Sequence, residues 1–147
     1  MVSTNLPIYK FAANMTKSES ELIYPEDSYK IVGCAYEVFN SIGPGHLEKT
    51  YEKALAVKFK KEGIRFQEQV YVPVIYEGQN VGKNFFDFLI DNKIVVELKC
   101  GENFTRSHFQ QVQKYLAAKK LKLAILLTFK KDGVKTQRVL NNFSNQN

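Results

Sequence analysis

The chain has 147 residues, 44% of them apolar and 13% aromatic, which suffices for one domain with a sizeable core and is too short for two ordinary ones. A net charge of +6 and a pI near 9.2 favour a polyanionic partner, with nucleic acid ahead of a membrane surface. No apolar run reaches about 18 residues, so no helix is expected to span a bilayer. The first residues also lack the basic-then-apolar order of a secretory leader. Cys34 and Cys100 stand far apart without metal-binding spacing, and a reduced, cytoplasmic setting is expected.

Residues 1–26 contain Pro7 and Pro25, show no sustained period and read as an irregular arm, with a short element expected near Glu19 to Ile23. A helix is predicted from about Ser28 to Ser41. Ile31, Val32, Ala35, Val38, Phe39 and Ile42 recur at three and four and mark its buried stripe. Asp27 or Ser28 can cap it, and Gly43-Pro44-Gly45 ends it. A second helix follows from about His46 or Leu47 to Glu62, with Leu47, Tyr51, Ala54, Leu55 and Phe59 facing inward and Gly63 closing it.

The period then changes to two. Phe66 to Tyr76 reads as a strand, Glu77-Gly78-Gln79-Asn80 as a turn and Val81 to Ile90 as the partner strand. Pro73 removes one backbone donor and places the first strand at an edge or a bulge. After the turn at Asp91-Asn92, Lys93 to Lys99 reads as a buried central strand through Ile94-Val95-Val96. A helix from about Thr105 to Lys119 is followed by a second central strand, Leu121 to Phe129. A turn at Lys131-Asp132-Gly133 then leads to a last strand, Val134 to Leu140, and a polar tail. The helix between the third and fourth strands can act as a crossover, which permits a parallel pair there.

The residues that carry chemistry are Asp87 and the run Glu97-Leu98-Lys99. Side chains alternate along a strand, so Glu97 and Lys99 share a face. A hairpin across Asp91-Asn92 sets Asp87 opposite residues 96 to 98. Two carboxylates and a lysine on one patch suit a hard divalent cation, which takes oxygen ligands and leaves sites for water and phosphate. Glu97 is flanked by apolar residues, so its charge is costly unless paired or metal-bound. A Glu and a Lys two residues apart can also form a plain surface ion pair. Lysines cluster at Lys58, Lys60 and Lys61, and again at Lys119, Lys120 and Lys122 with Lys130 and Lys131 beyond. Such clusters serve solubility as readily as phosphate contact.

The segment Gly45-His46-Leu47-Glu48-Lys49-Thr50-Tyr51 reads GxxExxY. With CAYEVFNSIGPG before it, and FDFLI, IVVELK, HFQQVQKYL, AILLTF and TQRVL after it, the chain resembles the GxxExxY family of small prokaryotic proteins over roughly residues 20–140. That family is placed in the PD-(D/E)xK nuclease superfamily. The resemblance implies a restriction-endonuclease-like three-layer α/β/α fold, with a central mixed sheet of about five strands spanning residues 27–141 and a polar tail from 142 to 147. It also implies a nuclease hydrolysing phosphodiester bonds, DNA favoured, with Mg2+ or Mn2+ held by Asp87, Glu97, Glu48 and the carbonyl of Leu98. Lys99 and Gln111 complete the catalytic set. His108 and Tyr115 lie on the same helix face as Gln111. Lys119, Lys120, Lys122 and Lys130 are expected to contact flanking phosphates, and the resemblance also implies a homodimer. The superfamily's proline is absent, since Phe86 precedes Asp87. The alternative is a catalytically silent nucleic-acid- or protein-binding module on the same fold. Glu48 would also suit the positive end of its helix without any metal, Tyr51 suits a core, and His108 suits a solvent-facing or structural place.

Overall fold

The computed structural model describes residues 23–142. The expected arm up to residue 22, nearly all of the short element near Glu19 to Ile23, and tail residues 143–147 lie outside the described residues.

Helix α1 (Pro25–Ile42) begins three residues before the expected start. Proline fits the first helical turn, where its missing N–H is not needed, and Glu26 and Asp27 face the positive helix end. Gly43, at φ 77°, stops it. Helix α2 (Glu48–Lys61) runs to Gly63, also at positive φ. Strand β1 (Phe66–Tyr76) turns directly into β2 (Gln79–Ile90). The turn is two residues rather than the four predicted, because Glu77 and Gly78 both take positive φ, the conformation a tight hairpin requires. Strand β3 (Ile94–Cys100), helix α3 (Arg106–Lys119), β4 (Leu123–Lys130) and β5 (Gly133–Leu140) complete the order.

The five strands form one sheet in chain order, β1-β2-β3-β4-β5. Every neighbouring pair is antiparallel except β3 and β4, which α3 joins as a parallel crossover. Strand β1 is an edge and its pairing shifts register between Val74 and Ile75, so Pro73 sits in the tolerant setting its chemistry demands. Helices α1 and α2 cover one face of the sheet, where Ile31, Leu55 and Phe59 join Phe88, Val96 and Ile125. Helix α3 covers the other, where Val112 and Leu116 join Val95, Ala124 and Leu126. Burial on both faces explains the unbroken apolar run of β4.

Strand β2 rolls in its middle. Phe88 packs edge-on against Phe59 of α2 at 5.2 Å, whereas Phe86, two residues earlier, packs against Tyr115 of α3 at 4.9 Å. In a flat strand two such residues share a face. Across from the switch, Gln69 of β1 adopts φ 52°, a left-handed conformation costly for any residue with a Cβ. The residue at the pivot of β2 is Asp87.

Tyr51 anchors the loop before α2. It is 2% exposed, stacks on Phe129 at 4.3 Å and donates its hydroxyl to the Gly43 carbonyl at 2.6 Å. Tyr51→Phe keeps the stack and orphans that carbonyl. Thermal unfolding monitored by circular dichroism is expected to show Tm lower by about 4 °C, the equivalent of ~1 kcal/mol.

Candidate active site

The β2–β3 ladder runs from Ile90 opposite Ile94 to Phe88 opposite Val96 and ends there. One step further, Asp87 faces Glu97, and side chains link the strands. The Asp87 N–H donates to Glu97 Oε1 at 2.7 Å, and the Leu98 N–H donates to Asp87 Oδ2 at 2.8 Å. Each carboxylate accepts a bond that a partner-strand carbonyl would accept in a continuing ladder, so the backbone aims both acids into the opening between the strands.

Burial dominates their electrostatics. It pushes Glu97 up to about 9, with the nearby Asp87 charge adding to the rise. It pushes Asp87 up to about 6, where the Leu98 N–H pulls back and the charges of Glu52 and Glu48 push further. Near neutral pH the pair therefore retains a proton. A divalent cation can replace that proton and neutralise both acids, so this donor set fits a hard metal ion. Lys99, half-buried, follows two residues along β3. Its charge, after burial, lowers the pKa of His108 on α3, which places the ammonium near that helix.

An acid on one strand facing Glu-x-Lys on the next is the pattern of one enzyme superfamily, and the chain matches the PD-(D/E)XK nuclease superfamily over residues 25–139. The chain belongs to that superfamily. Such nucleases generally use divalent metal ions and act on nucleic acid, which supports a nuclease-type function here. The five-stranded mixed sheet with flanking helices is the restriction-endonuclease-like fold. The crystal structure of SSO0001 is 16% identical with a TM-score of 0.50, the match covering 95% of this chain and 78% of that one. An alkaline exonuclease, LHK-Exo from Laribacter hongkongensis, is 13% identical with a TM-score of 0.46, covering 90% and 75%. No curated protein matches the chain. None of the helices among the described residues is long and apolar enough to cross a membrane.

The other predicted residues of this PD-(D/E)XK protein are placed unevenly. Glu48 opens α2 and is exposed; its charge reaches Asp87, Glu97 and His108 without a hydrogen bond to the pair. Leu98 is buried and gives its N–H to Asp87. Gln111 lines an open groove of about 570 Å³ between α3 and β1, with Val72, Asn84 and Lys114. Tyr115 packs under Phe86 as part of the core. Lys119, Lys120 and Lys122 lie at the end of the sheet where Ile94 pairs with Leu123, away from Lys99. Lys130 lies at the other end, next to Phe129, which pairs with Cys100. Lys58 is held by Glu37 at 2.6 Å and Glu62 at 3.2 Å, a structural use. Burial pushes the Cys34 thiol up to about 12 and the Cys100 thiol up to about 11, so neither ionises readily.

Sequence reasoning passed over Glu52. It is 6% exposed on α2, and its Oε2 accepts a 2.6 Å hydrogen bond from Gln69 Nε2 while Lys49 lies 3.6 Å from Oε1. Among the carboxylates of α2 it raises the Asp87 pKa more than Glu48 does. Its position one helical turn after Glu48 and next to inward-facing Tyr51 was the available signal. Among the described residues no three His, Cys, Asp or Glu side chains gather closely enough to hold a metal ion by themselves. A cation between Asp87 and Glu97 would therefore complete its shell with backbone carbonyl, water and substrate oxygens.

Proposed function

We propose that the chain is a divalent-metal-dependent phosphodiesterase acting on nucleic acid, DNA favoured, of the GxxExxY branch and working in the cytoplasm. The observation that carries this reading is the reciprocal clasp of Asp87 and Glu97 at the point where β2 and β3 part, with Lys99 two residues on. Asp87, Glu97 and the Leu98 carbonyl would hold the ion, and Glu48 would add charge from α2. When bound, magnesium or manganese would lower the pKa of a coordinated water and screen the attacked phosphate. Lys99 would orient the attacking water and meet the charge that develops on the phosphate. Gln111 supports the site from α3, and Lys130 contacts phosphate at the near end of the sheet. Lys119, Lys120 and Lys122 act as distant phosphate contacts that make affinity salt-sensitive. A homodimer would bring two such sites to one duplex.

The test is cleavage of labelled single- and double-stranded DNA and RNA with magnesium or manganese. Lys99→Ala is expected to lower the rate about a hundredfold while the circular dichroism spectrum is kept. Magnesium is expected to raise Tm of the native chain but not of the Asp87→Ala/Glu97→Ala double variant. Cleavage that persists at the native rate in Lys99→Ala and in the double variant would overturn the assignment. The exposed, unbonded Glu48 is the one feature that suits a catalytically silent binding module. That reading predicts nucleic-acid binding with no magnesium-dependent rise in Tm.

A further inference from the structure

The large apolar side chains exposed on β1 and β2 include an aromatic pair, Tyr71 at 47% and Phe85 at 44%. The two are direct partners across the β1–β2 ladder, with ring centroids 5.8 Å apart. Their strand neighbours Val72 and Phe86 turn inward to the α3 cluster, so the pair faces away from α3. With α3 on the other face, the pair is on the α2 side of the sheet, the side on which Glu52 of α2 meets Gln69. Both rings stay about half exposed among the described residues.

Phe85 precedes Asp87 by two residues on β2, a step of about 7 Å along a strand. Lys83, exposed and paired with Pro73, comes one equal step further. The sheet thus presents in line a carboxylate, an aromatic pair and an ammonium. Asn80 Nδ2 donates to Tyr71 Oη at 2.8 Å, which limits the swing of that ring. A surface aromatic pair, flanked by a cation and two residues from Asp87 on the face opposite Lys99, is suited to an unpaired nucleobase that approaches the pivot from the α2 side. Every base offers a π-face, and its phosphate lies within reach of the lysine.

We infer that Tyr71 and Phe85 form a base-stacking platform beside Asp87, and that the substrate presents an unpaired base there, as a single strand or an opened end. This rests on the nuclease reading for its position beside the cut, yet base stacking can be measured without cleavage. The measurement is fluorescence anisotropy in EDTA with a labelled single strand, the same strand carrying abasic positions, and the blunt duplex. Tyr71→Ala and Phe85→Ala are each expected to weaken single-strand binding about tenfold, with Tyr71→Phe, which keeps the ring and loses only its Asn80 tether, weakening it no more than about twofold. Both alanine variants are expected to bind the abasic strand as well as the native protein does, because only phosphate contacts remain. Equal losses on abasic strand and duplex would overturn the platform. So would unchanged single-strand binding, or a shift from dimer to monomer in sedimentation velocity, which would make the pair a contact between copies. Aromatic-dependent binding in a protein that cuts nothing would sustain the platform and end the nuclease reading.

Discussion

Glu97→Gln is expected to lower cleavage by about a thousandfold while making the metal-free protein more stable near pH 8. The loss of activity follows because glutamine keeps an oxygen for the Asp87 N–H but cannot neutralise a cation. The gain follows from the direction of the pKa shift. Burial raises the folded-state value of Glu97 from 4.5 to about 9, so the unfolded chain releases this proton first as pH rises. Stability of the metal-free native state therefore falls from about pH 4.5 upward and keeps falling until the folded group ionises near 9. Glutamine removes that penalty. Near pH 8 the variant should gain on the order of 2–4 kcal/mol, a rise in Tm of roughly 10 °C. Near pH 4 the two proteins should unfold together. Saturating magnesium should reverse the order, because only the native chain gains from the ion. Differential scanning calorimetry across this pH range, with and without magnesium, decides the matter. A variant less stable than the native chain near pH 8 without metal would refute the strained acid pair.

Phe88→Ala is expected to destabilise the fold by about 4 kcal/mol, among the largest single losses the core can register. Phe88 is fully buried and meets Phe59 at 5.2 Å and Phe66 at 5.6 Å, so alanine opens a void under three elements at once. Urea unfolding should show a lower midpoint with an unchanged slope. Phe88 also lies next to the pivot at Asp87, and its packing on the α2 side sets the roll of β2. Residual folded variant should therefore require more magnesium for half-maximal cleavage. Native metal dependence in Phe88→Ala would show that the roll is held by Phe86 and Tyr115 alone.

Most of the architecture was legible because its signals are local. The stripe of α1 through Val38 and the continuous apolar runs of β3 and β4 each state a burial pattern that the fold satisfies, whereas the period of two in β1 and β2 marks strands whose outer halves stay exposed. The facing of Asp87 and Glu97 also followed from hairpin arithmetic, since one turn fixes it. The first turn of α1 was not legible because Pro25-Glu26-Asp27 adds nothing to the apolar period, although proline is at ease in a first helical turn. The roll at Asp87 was not legible. It depends on a left-handed Gln69, and nothing in FQEQVYV announces a residue that lacks glycine's freedom yet takes that conformation. Glu52 was missed for a related reason: the Gln69 amide that makes its burial tolerable comes from a strand distant in sequence. The distance of Lys119, Lys120 and Lys122 from Lys99 was not legible either, because crossover geometry alone sends the end of α3 to the far end of the sheet.

A sheet whose spatial order repeats the chain order has a kinetic meaning. Four pairings are needed, and three join strands separated only by a tight turn, so their loop-closure entropy is small. The parallel β3–β4 pair alone must wait for α3 to form and return. Strand pairing itself therefore demands little loop closure, while the docking of α1 on β5, some hundred residues away, is the long-range step. The two acids are brought together by the β2–β3 turn alone, so Asp87 and Glu97 can meet early. Their burial, and with it the penalty on their charge, arrives only when the crossover closes the core behind them.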